Sequence, residues 1–352
     1  MDMQRPINRH ALSTASRYFW IKQHVSHLVA TSVLLTFAGP VWSDGAGDIT
    51  FYDVPSAALR QTVRAGVYLP ERTAPKDGWS VLYLLHGLGG NESSWARLGD
   101  IDATLDEMIA SGTIAPLVVV MPDGGNSWYV DSTQVGGPGD YQTALTQDLP
   151  TWVEATFPVR TDRGGRTVAG LSMGGYGALR FALLMPQRYV AVAALSPAIW
   201  QNFGYDELDL PPDQLTQLAK TDFFERTDPT TILGERDLPP PGSHFARAFG
   251  VPFNTRFFNT QNVFTLLEEQ LSSGADLPTS FLTVGDDDSH GLWRGAVAYY
   301  ETMLASDRST ELRITDGDHQ WSLWRTSIVD ALIFFDSQFV PLASSSARPD
   351  SR

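Results

Sequence analysis

The sequence predicts an α/β fold built on a mostly parallel sheet with helices on both faces. Three observations carry that expectation. Short unbroken apolar runs, such as 80–85 (SVLYLL), 117–121 (LVVVM) and 190–195 (VAVAAL), suit strands covered on both sides. Stretches with helical spacing lie between them. One strand, 166–171, runs into a glycine-rich turn and then directly into an apolar helix.

The elements follow in order. Residues 48–54 and 60–68 alternate apolar and polar and predict an opening antiparallel pair. After the strand 80–85, residues 101–110 have helical spacing, and 117–121 is a buried strand. Residues 141–157 predict a helix that Pro150 should start or kink. The strand 166–171 precedes a helix over 176–185 and a strand at 190–195. Later come a strand at 280–284, a helix over 293–304, a strand at 311–315 and a last helix over 322–339. Residues 201–277 are longer than an ordinary connection, polar and proline-rich, with a short helical piece at 263–271; they predict an inserted cap. The tail 344–352 is rich in Ser, Ala, Arg and Pro and predicts disorder, which leaves 44–343 as the folded domain.

Residues 1–43 predict an export signal. Arg5, Arg9, Arg17 and Lys22 form a basic start, 28–38 is an apolar run too short to span a bilayer comfortably, and Gly39-Pro40 ends it before a cleavage site ahead of Asp44. A secreted or periplasmic protein with no stable membrane span is expected. The 352-residue chain has no cysteine, so disulfides, thiolate nucleophiles and zinc–cysteine sites are excluded. Its formal net charge of −15 disfavours nucleic acid and anionic lipid as partners.

The chemistry begins at Gly170-Leu171-Ser172-Met173-Gly174. A serine on a sharp strand-to-helix turn needs small residues two positions to either side, and the turn lifts the hydroxyl above the sheet. Serine is a poor nucleophile without a base. In this α/β-hydrolase arrangement the acid and then the histidine follow the serine along the chain. His86 precedes Ser172, and His244 lies in the expected cap with no strand before it. His319 follows a strand and precedes the last helix, where this fold delivers its base, whereas His290 sits two residues from the acid candidates. The acid belongs after the strand 280–284, where Asp286, Asp287 and Asp288 stand side by side. Two backbone N–H groups should stabilise the oxyanion: Met173, after the nucleophile, and Leu88, in the loop His86-Gly87-Leu88-Gly89-Gly90. Trp95, Trp128, Tyr129 and Trp321 are candidates to stack on a substrate ring. No metal or organic cofactor is implied.

Leu84-Leu85-His86-Gly87 with Gly89-Gly90 and Trp95, Gly170 to Ala178 (GLSMGGYGA), Gly285 with Asp288, and Gly317-Asp318-His319 with Trp321 and Trp324 resemble the esterase D family. That family includes S-formylglutathione hydrolases, feruloyl and acetyl-xylan esterases and the mycolyltransferases. The resemblance implies Asp288 as the acid and supports Leu88 and Met173 as oxyanion donors. It implies a serine esterase that forms an acyl-enzyme on Ser172 and acts on a small-molecule, aryl or carbohydrate-linked ester. Acyl transfer of the mycolyltransferase kind is the alternative, and a non-catalytic binding module is a third. The segment 201–277 matches no single branch.

Overall fold

The structure, a computed structural model, describes residues 47–211, 214 and 242–341. The expected export signal, the tail 344–352 and residues 212–213 and 215–241 of the expected cap lie outside the described residues.

Eight described strands form one sheet: β1 (Asp48–Ser56), β2 (Gln61–Leu69), β3 (Ser80–Leu85), β4 (Leu117–Pro122), β5 (Arg166–Leu171), β6 (Ala191–Leu195), β7 (Thr279–Gly285) and β8 (Thr310–Thr315). Their spatial order is β1-β2-β4-β3-β5-β6-β7-β8. β2 pairs antiparallel with both β1 and β4, and every other pairing is parallel. This is the mostly parallel sheet that the apolar runs predict.

The reason those runs are unbroken is visible along β3 and β4. Val81, Tyr83, Leu85, Val118 and Val120 point into one core, and Leu82, Leu84, Leu117, Val119 and Met121 into the other. The second core is closed by α1 (Ser94–Gly99), α2 (Ile101–Ala110) and the last helix, α8 (Trp321–Gln338), through Trp95, Leu105, Ile328 and Leu332. The first is closed by α3 (Leu149–Thr156), α4 (Met173–Leu184), α6 (Val263–Ser273) and α7 (Trp293–Ala305), through Val153, Leu179, Leu267 and Tyr299. No helix among the described residues is long and apolar enough to cross a membrane.

Three stretches depart from the expectations. The helix expected over 141–157 is interrupted by a π turn, Ala144–Asp148, directly before α3. Pro150 has no N–H for the carbonyl of Thr146, four residues back, and the Arg188 guanidinium takes that carbonyl instead. The helix expected to begin at 176 begins at Met173, because the glycines there serve close packing rather than a loop. The described part of 201–277 is more apolar in its role than its composition suggests. It contributes α5 (Thr255–Gln261), which the sequence reading lacked, and a buried aromatic cluster of Phe203, Phe245, Phe249 and Phe258 that joins the main core.

Arg180 on α4 is fully buried. Its guanidinium donates to the Tyr129 carbonyl (2.7 Å), the Gln261 carbonyl (2.7 Å), Gln142 Oε1 (3.0 Å) and Gln261 Oε1 (2.5 Å). Those neutral acceptors tie α4 to the loop after β4 and to the end of α5. Arg180→Met orphans them, and a buried acceptor without a donor costs about 1–3 kcal/mol. Relief of the buried charge offsets part of that loss. The variant should be less stable by about 2–4 kcal/mol, read as a lower urea midpoint at unchanged slope.

Candidate active site

In parallel sheets the loops at the carboxyl ends of the strands form the ligand crevice. Here the loops after β3, β4, β5, β7 and β8 meet there. Ser172 follows β5 and precedes α4, with φ +53° and ψ −117°. A non-glycine residue rarely holds a positive φ unless its surroundings enforce it. The enforcement comes from both sides: Ser172 N–H donates to the Leu195 carbonyl (2.8 Å), and its carbonyl accepts from Tyr176 (3.0 Å) and Ala198 (3.1 Å). The flanking glycines are required by space. A Cβ on Gly170 would lie 2.3 Å from the Gly174 carbonyl oxygen, and one on Gly174 would lie 2.6 Å from the carbonyl oxygens of Leu85 and His86.

The Ser172 hydroxyl lies 2.9 Å from His319 Nε2, and His319 Nδ1 lies 2.9 Å from Asp288 Oδ2. The structure therefore brings together three side chains from the ends of β5, β8 and β7. The three neighbouring aspartates separate by environment. Asp288 is 6% exposed, and its other oxygen accepts from the N–H groups of His290 (3.0 Å) and Leu292 (3.4 Å). Asp286 and Asp287 are exposed instead, beside Asp316. With Asp288 accepting at Nδ1, the imidazole carries its proton there and offers the Nε2 lone pair to the hydroxyl. Such an arrangement can take a proton from the serine as it attacks a carbonyl.

Asp318 laces the two loops together. Its Oδ1 accepts from the N–H of His319 (2.6 Å) and of Ser289 (2.8 Å). Burial pushes this carboxyl up, but those N–H groups outweigh it and hold it below the usual carboxylate range. Asp286 N–H to the Thr315 carbonyl (2.9 Å) and Asp287 N–H to the Gly317 carbonyl (3.1 Å) add two backbone rungs.

Met173 opens α4, so its N–H has no carbonyl one turn earlier. Leu88 is exposed at the tip of the loop after β3 and lines the pocket beside Ser172. Its neighbours' N–H groups are taken, Gly89 by Asn126 Oδ1 (2.7 Å) and Gly90 by the Gly87 carbonyl (3.1 Å). His86, beneath this loop, is buried. Its Nε2 accepts from Gly124 N–H (2.9 Å), so Nδ1 carries the proton, directed at the Gly87 carbonyl (2.7 Å).

The pocket has a volume of about 360 Å³. Its walls include Leu88, Leu98, Trp128, His244, Trp321 and Trp324. Of the four aromatic candidates, Trp321 and Trp128 line the pocket, and Trp128 is 1% exposed and also packs in the core. The other two are corrected: Trp95 and Tyr129 are core residues. Trp95 is 1% exposed, with its indole N–H on the Leu85 carbonyl (3.0 Å) and its ring edge-on to Trp321. Tyr129 is fully buried, with its hydroxyl on the His86 carbonyl (2.8 Å). Position at the end of a strand says which loop a residue occupies, not which way its ring turns, and both Trp128 (φ +53°) and Tyr129 (φ +55°) adopt left-handed backbone that period-two reasoning does not anticipate.

Two further histidines line the pocket. The His290 ring stands edge-on to His319 at 4.6 Å. His244, from the segment between β6 and β7, packs against Trp128 at 5.2 Å. No sequence signal marks His244 as a wall of the site, because the proline-rich run before it has no periodicity.

The Esterase family model, described as "Putative esterase", matches residues 56–335. An esterase of Mycobacterium tuberculosis is 35% identical over 139 residues, covering 38% of this chain and 28% of its own length. An endo-1,4-β-xylanase/feruloyl esterase of Xylanibacter ruminicola is 33% identical over 147 residues, covering 40% and 20%. The match thus spans less than a third of either relative. Among solved structures, a ferulic acid esterase superposes with a TM-score of 0.62 at 23% identity, covering 84% of this chain and 99% of that one, and shares its fold.

Burial, with His290 adding to it, pushes the His244 imidazole down to about 4 from its usual 6.5. Between those two values the unfolded chain binds a proton that the folded chain does not. Stability from this group is therefore complete above pH 6.5 and is lost as pH falls toward 4. His244→Gln should lose less stability than wild type between pH 7 and pH 4.5, measured by urea unfolding at each pH; equal losses would count against the burial of a neutral imidazole.

Proposed function

Since the chain belongs to the Esterase family, we propose that it is a serine carboxylic-ester hydrolase working through Ser172, His319 and Asp288. The single observation that carries this mechanism is the pair of 2.9 Å contacts linking hydroxyl, imidazole and carboxylate in one line.

The ester carbonyl enters the pocket with its oxygen toward the N–H groups of Met173 and Leu88. Ser172 Oγ attacks as His319 Nε2 takes its proton. Asp288 holds the tautomer and stabilises the imidazolium without itself being protonated. The oxyanion is met by fixed donors that need no reorganisation. His319 then returns the proton to the departing alcohol, leaving an acyl-enzyme on Ser172. Water, deprotonated by the same imidazole, releases the acid.

Substrate class follows from the pocket and the relatives. Among the described residues the walls are Leu, Trp and His with no lysine or arginine, which suits an uncharged acyl or aryl group. A relative named feruloyl esterase supports aryl or carbohydrate-linked esters. His244 in the pocket lining supports a role for the described part of the 201–277 segment as a wall of the site. Export guided by residues 1–43 would put the activity outside the cytoplasm, where polymer-linked esters are met.

An aryl fluorophosphonate should label the wild-type protein and leave Ser172→Ala unlabelled. Asp288→Asn, which misdirects the tautomer, should lower kcat on the order of 10⁴-fold at little cost in KM. A wild-type chain that resists the probe, or a Ser172→Ala variant that still hydrolyses p-nitrophenyl acetate, would remove the mechanism. A panel of aryl esters of graded acyl length, with a feruloyl ester and an acetylated sugar, defines the substrate, and alcohols added as acceptors separate hydrolysis from acyl transfer.

A further inference from the structure

We propose that Asn126 is a positioning residue for the oxyanion site: it holds the tip of the loop after β3 so that the Leu88 N–H faces the pocket. This rests on the reading above that Leu88 supplies one of the two donors.

The loop 86–90 is fixed at its base and open at its tip. At the base, the His86 ring joins the Gly124 N–H to the Gly87 carbonyl, and the Tyr129 hydroxyl holds the His86 carbonyl. At the tip, Leu88 and Gly89 are both exposed. Gly89 has φ +74°, and nothing lies within 4 Å of where its Cβ would be. A glycine in open space at positive φ reorients its peptide at small cost. Across this tip one side-chain bond reaches over: Asn126 Oδ1 accepts the Gly89 N–H at 2.7 Å, from 37 positions along the chain.

That bond has two consequences. It fixes the peptide plane next to the Leu88 N–H, so the donor is oriented before substrate arrives. It also occupies the Gly89 N–H, which leaves Leu88 as the donor of this tip that faces the reacting carbonyl. Preorganised donors are worth most when their direction is set in advance. The segment 123–129, which follows β4, is on this view mainly the scaffold of the oxyanion loop, and of its residues Trp128 borders the pocket.

Asn126 is exposed, so its replacement tests position rather than folding. With p-nitrophenyl acetate as substrate, Asn126→Ala and the similarly sized Asn126→Leu should lower kcat about tenfold, less than the 10²–10³ expected for losing a donor outright. KM should stay within about twofold of wild type, since the effect belongs to the transition state. Thermal midpoints should not move. The inhibition constant of an aryl trifluoromethyl ketone, which forms an oxyanion on the serine, should rise by the same factor as kcat/KM falls. Asn126→Asp keeps an acceptor and should recover most of the rate. The proposal is overturned if Asn126→Ala and Asn126→Leu keep wild-type kcat while Ser172→Ala is inactive. It is equally overturned if the change falls on KM or on the melting temperature, or if Asn126→Asp is no better than Asn126→Leu. An active Ser172→Ala removes the catalytic reading beneath it, and the two failures are told apart by that control.

Discussion

The left-handed backbone at Ser172 is the constraint on which the site depends. A serine at φ +53° is strained, and the strain persists only because β5, the start of α4 and the residues after β6 leave the chain no other course. Gly170 lies so close to the backbone of Gly174 that it admits no Cβ. The same approach presses Gly174 onto the carbonyls of Leu85 and His86. The serine is thereby fixed relative to the loop after β3 by backbone contact alone. The distance from the hydroxyl to the wall of the pocket formed by the loop after β3 follows from that contact.

The histidine and the carboxylate are held by a different device. Their loops are laced to each other, and Gly285 packs so closely on the loop after β8 that a Cβ there would lie 2.0 Å from the Gly317 carbonyl oxygen. Asp318 bridges the two, and the backbone rungs from Asp286 and Asp287 run the β7–β8 pairing on beyond the sheet. Each neutral hydrogen bond contributes about 1 kcal/mol net, more where a carboxylate accepts. No single one sets the geometry, but together they make the Asp288–His319 pair move as a unit. Trp324 completes the support, with its ring edge-on to His319 at 4.9 Å and its indole N–H on Ser196 Oγ at 3.1 Å.

What was legible in the sequence was whatever repeats a local rule. The strands β3, β4 and β6 read correctly because a strand with a core on each side is apolar along most of its length, as β4 and β6 are throughout and β3 is from Val81 on. The elbow read correctly because Gly170 and Gly174 have no substitute there. Features that depend on distant partners did not read. The π turn before Pro150 needs Arg188 to take the Thr146 carbonyl, and nothing local at position 146 announces that partner. Three adjacent aspartates are equivalent by composition, and only the fold of the loop buries Asp288 while leaving Asp286 and Asp287 outside. Trp95 and Tyr129 looked like substrate contacts because aromatic rings near a strand end serve either purpose, and their direction is set by residues far along the chain, Leu85 for one and His86 for the other.

Tyr129 shows how such distant dependencies converge. Its hydroxyl holds the His86 carbonyl beneath the loop after β3, and its own carbonyl is held by the Arg180 guanidinium on α4. Its ring lies where any side chain on Gly177 would be, so α4 and the loop after β4 fit only with glycine at that position. One residue thus touches both pieces that must agree in position, the helix that begins at the serine and the loop that lies across from it. Because Arg180 also grips Gln261 at the end of α5, the described part of the segment between β6 and β7 is referred to the same point. Left-handed backbone at Trp128 and Tyr129 accompanies this fit: both rings pack into the same core, and Trp128 also borders the pocket.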